Sequence, residues 1–144
     1  MKKRLIVTAS IISLVIATSQ ALASEPLEFQ GTMKNLGTYM QTITGAIARE
    51  NWGLVDETAH KVAEHAQPPE EEKLRIMGFM GSNMVKFKAF DAQTHEAAHE
   101  MAEAAQEQNG QRVIGAFQKL QTGCLACHQA FRPAFTEHFY GKSK

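Results

Sequence analysis

The sequence lacks several features that would place it in other classes of protein. No run of residues shows the period-two alternation of a β-strand, and no internal repeat is visible, so neither a sheet fold nor a repeat array is expected. Positive charge is not in excess. All 15 acidic residues lie after residue 23, whereas three of the 15 basic residues precede it, which leaves a formal charge of −3 beyond that point. Nucleic acid is therefore not an expected partner. Cysteine is also scarce, since the 144 residues contain only two.

The start of the chain has the three parts of a secretory signal peptide. These are a basic stretch at residues 2–4, an apolar stretch at residues 5–17 and an Ala-Leu-Ala cleavage site at residues 21–23. The apolar stretch is too short for a comfortable membrane span, and no later stretch is long enough. We therefore predict that residues 1–23 are a cleaved signal peptide and that residues 24–144 form one domain with no membrane span. An uncleaved anchor is the alternative.

Apolar residues recur at steps of three and four along four segments, which predicts four amphipathic helices. The first helix is expected to begin near Pro26, and the second to have Asn51 as its N-cap and to end at Pro68 and Pro69. The third helix is expected to have Ser82 or Asn83 as its N-cap. The fourth is expected to follow the Asn109-Gly110 turn and to end at Pro133. A short extra helix is expected from Glu70 to Met77, and a further turn from Phe135 to Tyr140. Four such helices with mostly short connections predict an all-α fold, an antiparallel up-down four-helix bundle.

Both cysteines belong to the segment Cys124-Leu125-Ala126-Cys127-His128, on the apolar face of the last helix. Two thiols separated by two residues and followed by histidine form the attachment signature of c-type haem. Each thiol can add to one vinyl group on the same porphyrin edge, and the histidine can bind the iron. We therefore predict one haem c, held covalently by Cys124 and Cys127 and ligated by His128, inside the bundle. Bacteria attach this haem outside the cytoplasm, so the motif and the signal peptide together predict a periplasmic protein.

A redox-active cysteine pair and a zinc site are the alternatives for this segment. A redox C-x-x-C pair is typical of a βαβ pattern, which the sequence does not contain. A zinc site needs a fourth ligand at a fitting spacing, and none lies nearby in the sequence. Haem attachment is therefore the favoured interpretation.

With this motif on its last helix, the chain resembles the class II cytochromes c, the cytochrome c′ and c-556 group. Phe131 and Arg132 continue the motif in a way similar to the family's C-x-x-C-H-x-x-aromatic-basic pattern. Residues 101–105, 109–110 and 113–116 resemble the family's third and fourth helices. The resemblance covers nearly all of residues 24–144. It implies that redox proteins of the periplasm are the partners. Related proteins often form dimers through their first two helices, so a homodimer is a possible form of this protein.

Met33 and Met40, which lie on one face of the first helix, are the candidates for the sixth iron ligand. If the last helix ends at Arg132, an antiparallel bundle places Met33 closer than Met40 to the level of His128. Low-spin members of the family carry methionine at the position that Met33 resembles, whereas high-spin members carry a residue such as leucine. Many high-spin members also have a basic residue four positions earlier, where this chain has Phe29. We predict Met33 as the ligand; Met40, another methionine or an open site are the alternatives.

Ligation by histidine and methionine predicts a one-electron carrier and not an enzyme. The two ligands fill both axial positions of the iron and raise its reduction potential. The alternative function is a five-coordinate haem protein that binds NO or CO, with Met33 lining the pocket instead of binding iron. Arg132 is a candidate contact for a haem propionate, or else a solvated charge.

A second motif, His95-Glu96-Ala97-Ala98-His99, matches the H-E-x-x-H pattern of zinc peptidases. Both histidines would bind zinc and Glu96 would act as general base. Helical periodicity, however, places the two histidines on the solvent face of the third helix, away from its apolar stripe. We predict solvated histidines there, with weak metal binding by the i,i+4 pair left open. The same interpretation is given to His60, His65 and His138.

Overall fold

The structure, a computed structural model, describes residues 26–141, and every regular element in that range is helical. The elements are α1 (Phe29–Ala48), α2 (Trp52–Ala63), α3 (Glu70–Met80), a 3-10 turn (Gly81–Asn83), α4 (Met84–Gln106) and α5 (Gly110–Tyr140). None of these helices combines the length and the hydropathy needed to cross a membrane. The all-α prediction is confirmed for the described range. The signal peptide predicted at residues 1–23 lies outside it.

Two asparagines cap helix starts: Asn51, as predicted, and Asn109, which was predicted only as part of a turn. The side chain of Asn51 accepts a hydrogen bond from the backbone N–H of Leu54 at 3.1 Å, and α2 starts at the next residue. Asn109 accepts one from the N–H of Arg112 at 3.1 Å, at the start of α5. Each bond satisfies one N–H that has no partner within the helix, and it stabilises the helix by about 1 kcal/mol.

The start of α1 differs from the prediction, because its capping group comes from another helix. The helix begins at Phe29, three residues after Pro26. The carboxylate of Glu72, on α3, accepts hydrogen bonds from the N–H of Glu28 at 2.6 Å and from the N–H of Phe29 at 3.2 Å. Glu72 is only 8% exposed. Its charge lies at the positive end of the α1 dipole, so α3 fixes the point where α1 begins.

The prediction that the last helix ends before Pro133 is wrong. Helix α5 continues through this proline to Tyr140. Pro133 cannot donate to the carbonyl four residues earlier, and this loss weakens a helix locally. Two and six residues later, however, Phe135 and Phe139 are buried, with exposures of 6% and 5%. Burial of the two phenylalanine rings contributes about 1.5–3 kcal/mol each, which offsets a proline cost of about 3 kcal/mol.

Four of the helices pack together in the order α1 on α2, α2 on α4, and α4 on α5. Contacts between α2 and α4 join residues in opposite chain order. Gln106 donates to Asp56 near the start of α2, whereas His95 stacks on His65 just after its end. The two helices therefore run in opposite directions.

The same opposite order relates α4 to α5. Lys119 donates to Glu100 at 2.6 Å, while Phe131, later on α5, packs against Phe87, earlier on α4. Helices α4 and α5 are therefore antiparallel as well.

Two groups of buried apolar residues hold the helices together. The main core consists of Ile43, Ala46, Val55, Ala59, Val62, Ala63, Ala97, Ala98, Met101, Ala102, Ala104, Ala105, Val113, Ala116 and Leu120. The aromatic cluster consists of Leu27, Ile76, Met80, Phe135 and Phe139. Leu36 and Cys124 pack against the main core, whereas Phe29, Phe87 and Phe131 pack against the aromatic cluster. These same five residues also line a cavity, which therefore lies between the two groups.

Candidate functional site

The cavity between the two groups has a volume of about 420 Å³ and is lined by α1, α4, α5 and the chain just after α2. This volume lies within the range of protein cofactor and ligand sites. All of the predicted site residues line it: Met33, Cys124, Cys127, His128 and Arg132. A second recess, of about 750 Å³, lies between α4 and α5 and has polar side chains such as Glu96, Glu100 and Lys119 on its walls. It contains none of the predicted site residues, so the smaller cavity is the candidate site.

Helix α5 positions both thiols at the cavity wall. Cys124 and Cys127 are three residues apart and thus lie on one side of the helix; both are free and half-buried. Burial raises the pKa of the Cys124 thiol. Burial also raises the pKa of the Cys127 thiol, and the neighbouring Cys124 and then Asp91 add to the effect. Redox-active cysteine pairs have a lowered pKa instead, so the site does not favour the alternative of a redox pair.

His128 follows Cys127 on α5 and lines the same cavity, although the residue as a whole is exposed. Burial of its ring lowers the pKa of His128, and the positive charge of Arg132, one turn later, lowers it further. The imidazole is therefore neutral at neutral pH, which is the form that binds metal ions.

The cavity distinguishes the two methionines of α1. Met33 lines it, whereas Met40 is half-buried against the main core. The axial comparison made from the sequence used Arg132 as the helix end, and this end is wrong. The contact of Phe29 with Phe135, at 5.6 Å between ring centroids, gives a better reference. Measured from Phe29 along α1, Met33 lies about 6 Å away and Met40 about 16 Å away. Measured from Phe135 back along α5, His128 lies about 10 Å away. These levels alone separate the methionines poorly, and the distinction comes from the cavity.

Aromatic side chains that the sequence analysis did not assign to the site form much of the cavity wall. They are Phe29, Phe87, Phe90, Phe131, Phe135 and Tyr140. The hydroxyl of Tyr140 is buried and has no hydrogen-bond partner among the described residues. Burial raises the pKa of Tyr140, and the negative charge of Glu72 raises it further. The hydroxyl therefore stays protonated and is a buried hydrogen-bond donor beside the cavity.

The prediction of solvated histidines is wrong for His65 and His95. Their rings stack at 4.8 Å with 25° between the planes, and the His65 side chain is only 7% exposed. Nδ1 of His95 also forms a hydrogen bond with the carbonyl of Ala63, at the end of α2. The prediction failed because α2 ends at Ala63, five residues before Pro68, and the chain after it covers this face of α4.

The H-E-x-x-H motif is not assembled as a peptidase site. His95 faces His65, whereas His99 is exposed and lies edge-on to His60 at 6.2 Å. The one group of potential metal ligands found among residues 26–141 contains His95 but neither His99 nor Glu96. His60 is half-buried, whereas His138 is exposed and stacks on the ring of Phe79 at 4.5 Å.

Comparison with known proteins leaves the family open. No protein-family model matches the chain, and no curated protein matches it in sequence.

Proposed function

We propose that the protein is a periplasmic c-type cytochrome that carries single electrons, with one haem c in the cavity between α1, α4 and α5. The observation that carries the proposal is that both thiols, the adjacent histidine and a methionine from α1 line one cavity. These residues lie up to 95 positions apart in the sequence, from Met33 to His128, so the fold brings them together. Their types are those of a c-type haem with histidine and methionine as axial ligands.

The residues present fit this group. Each cysteine thiol would add its S–H across one vinyl group, so that a C–S bond and a C–H bond form and no electrons are exchanged. When bound, the haem supplies the one-electron redox change of its iron. Neutral His128 and the thioether of Met33 would be the residues that hold the iron, through nitrogen and sulfur respectively. A thioether ligand raises the reduction potential relative to ligation by histidine alone.

The remaining walls of the cavity match the other parts of the group. Phenylalanine side chains from α1, α4 and α5 would surround the apolar macrocycle and keep water away from it. Arg132 lines the cavity and would supply a cation for the acidic propionates, and the buried Tyr140 hydroxyl is a nearby donor without a partner in the described range. We infer that Tyr140 contributes such a contact, because a buried hydroxyl without a partner is costly.

We also infer that the fold is an antiparallel up-down four-helix bundle of the class II cytochrome c kind. Support comes from the opposite order of the contacts between α2 and α4 and between α4 and α5. The motif on the last long helix is consistent with that family. Helix α1 packs on α2 and α5 packs on α4, and this packing would hold Met33 and His128 in similar positions in the two redox states.

An absorption spectrum of the oxidised protein tests the electron-carrier function. A low-spin Soret band with the methionine-to-iron charge-transfer band supports it. A high-spin spectrum that shifts at once when carbon monoxide is added to the reduced protein would favour the five-coordinate, gas-binding alternative. A chain without haem bands would refute both.

A further inference from the structure

Three potential metal ligands, His65, Asp91 and His95, form a cluster where α4 meets the segment after α2, at one wall of the cavity. Their ligand atoms all lie within 4.8 Å of one another. Nε2 of His65 is 3.9 Å from Oδ1 of Asp91, and Nε2 of His95 is 3.6 Å from Oδ2 of the same carboxylate. Asp91 and His95 are one helical turn apart on α4, while His65 comes from the segment after α2. Two elements of the fold therefore direct three metal-binding groups to one point.

Backbone carbonyls determine which nitrogen of each ring carries hydrogen. Nδ1 of His65 is 3.0 Å from the carbonyl of Val62, and Nδ1 of His95 contacts the carbonyl of Ala63. A carbonyl only accepts hydrogen bonds, so each Nδ1 must donate. In the neutral rings, both Nε2 atoms then present lone pairs towards the Asp91 carboxylate, which is itself an acceptor. Histidines that bind metals are commonly held in this way, with the other ring nitrogen donating to a carbonyl.

A purely structural role for the two histidines must be weighed against metal binding. Val62 and Ala63 are the last residues of α2, and their carbonyls lack partners within the helix. The rings satisfy these carbonyls, and a proton on one Nε2 could satisfy Asp91. One divalent ion would instead satisfy both Nε2 atoms and the carboxylate together.

We propose that His65, Asp91 and His95 bind a divalent transition-metal ion. Two imidazoles and one carboxylate suit zinc and copper, and they leave a further coordination position open. Typical zinc–ligand lengths at a tetrahedral angle place ligand nitrogen and oxygen about 3.3 Å apart. The observed separations of 3.6 and 3.9 Å are near this value. Coordination would require a small approach of the side chains and a tilt of the two rings out of their stack.

This site differs from the one that the H-E-x-x-H motif predicts. The motif pairs His95 with His99, one turn later on α4. The structure pairs His95 with Asp91, one turn earlier, and with His65 from the segment after α2. His99 lies next to His60 instead. Variants of His99 are therefore a matched control, because they remove a histidine from the same helix and leave the proposed ligands in place.

Zinc titration of the purified full-length protein, with its haem and after treatment with a chelator, tests the proposal. Isothermal titration calorimetry with Zn²⁺ should show one site per chain, and equilibrium dialysis should give the same stoichiometry. Asp91→Asn and His65→Gln should each weaken zinc binding at least about tenfold. Mutating a residue that only hydrogen-bonds to a metal ligand already lowers metal affinity by about this factor, and losing the ligand itself lowers it at least as much. His99→Gln should bind as the unchanged protein does, and Asp91→Glu should restore most of the affinity.

Three results would overturn the metal site: no zinc binding at micromolar concentrations, equal affinity of Asp91→Asn, or loss of binding in His99→Gln. The last result would assign the metal to surface histidines. Far-ultraviolet circular dichroism of each variant establishes that the helices are intact, and Asp91, with 44% of its side chain exposed, tolerates an isosteric change. Zinc is counted on haem-loaded protein, because without haem Cys124, Cys127 and His128 would offer zinc ligands of their own in the same cavity. The comparison of Asp91→Asn with His99→Gln identifies the proposed site in either form.

Discussion

The hydrogen bonds between Glu72 and the start of α1 give a quantitative prediction for the substitution Glu72→Gln. Glu72 is 8% exposed and accepts two backbone hydrogen bonds, at 2.6 and 3.2 Å. Each bond to a charged acceptor contributes about 1.5–3 kcal/mol, and a neutral one about 1 kcal/mol. Glutamine keeps one acceptor oxygen, loses one bond and loses the charge at the helix dipole, although a neutral group is easier to bury. We expect the free energy of unfolding to fall by about 2 kcal/mol.

Urea unfolding followed by circular dichroism measures this change. The midpoint should fall while the slope stays constant, since the surface exposed on unfolding does not change. Glu71→Gln, on the adjacent and exposed residue of α3, is the matched control and should change stability by less than about 0.5 kcal/mol. Because α1 also carries Met33, we expect the Glu72 variant to gain some high-spin character in its oxidised spectrum. Equal stabilities of the Glu72 and Glu71 variants would refute the assigned capping role.

Three further substitutions test other parts of the structure. Met33→Ala should convert a low-spin spectrum into a high-spin one that responds to carbon monoxide, whereas Met40→Ala should keep the low-spin spectrum; an unchanged spectrum of the first variant would remove Met33 from the iron. Tyr140→Phe should lower the unfolding free energy of the haem-loaded protein by about 1 kcal/mol if the hydroxyl binds a propionate, and equal or higher stability would contradict that contact. Leu120→Ala, at a fully buried position of the main core, should cost about 2–5 kcal/mol in thermal or urea unfolding, and a loss below about 1 kcal/mol would show that the core is looser than described.

Local signals in the sequence were sufficient to predict the helices, because each depends on residues close to one another. The three- and four-residue steps of apolar residues and the N-cap at Asn51 act over one or two turns. The start of α1 could not be predicted in this way, because Glu72 lies 44 residues from the N–H group of Glu28 that it binds. The end of α5 was missed for a related reason. Pro133 acts locally against the helix, whereas burial of Phe135 and Phe139 depends on the packing of α3 and α1.

The same distinction between local and long-range signals applies to the candidate site. The spacing of Cys124, Cys127 and His128 within one helix was enough to place these residues together. Met33 was identified from its helix face and from a family resemblance, and it lines the same cavity. His65 and His95 were assigned to solvent, because periodicity along one helix contains no information about the segment that packs across it. Neither the aromatic walls nor the Tyr140 hydroxyl has a sequence signature of its own.

The mass of the intact purified protein, measured after denaturation, tests the covalent haem most directly. We predict a chain whose mass is increased by one haem and whose Cys124 and Cys127 do not react with an alkylating reagent. The increase should be absent when both cysteines are replaced by serine. A chain with no added mass and two reactive thiols would contradict the account.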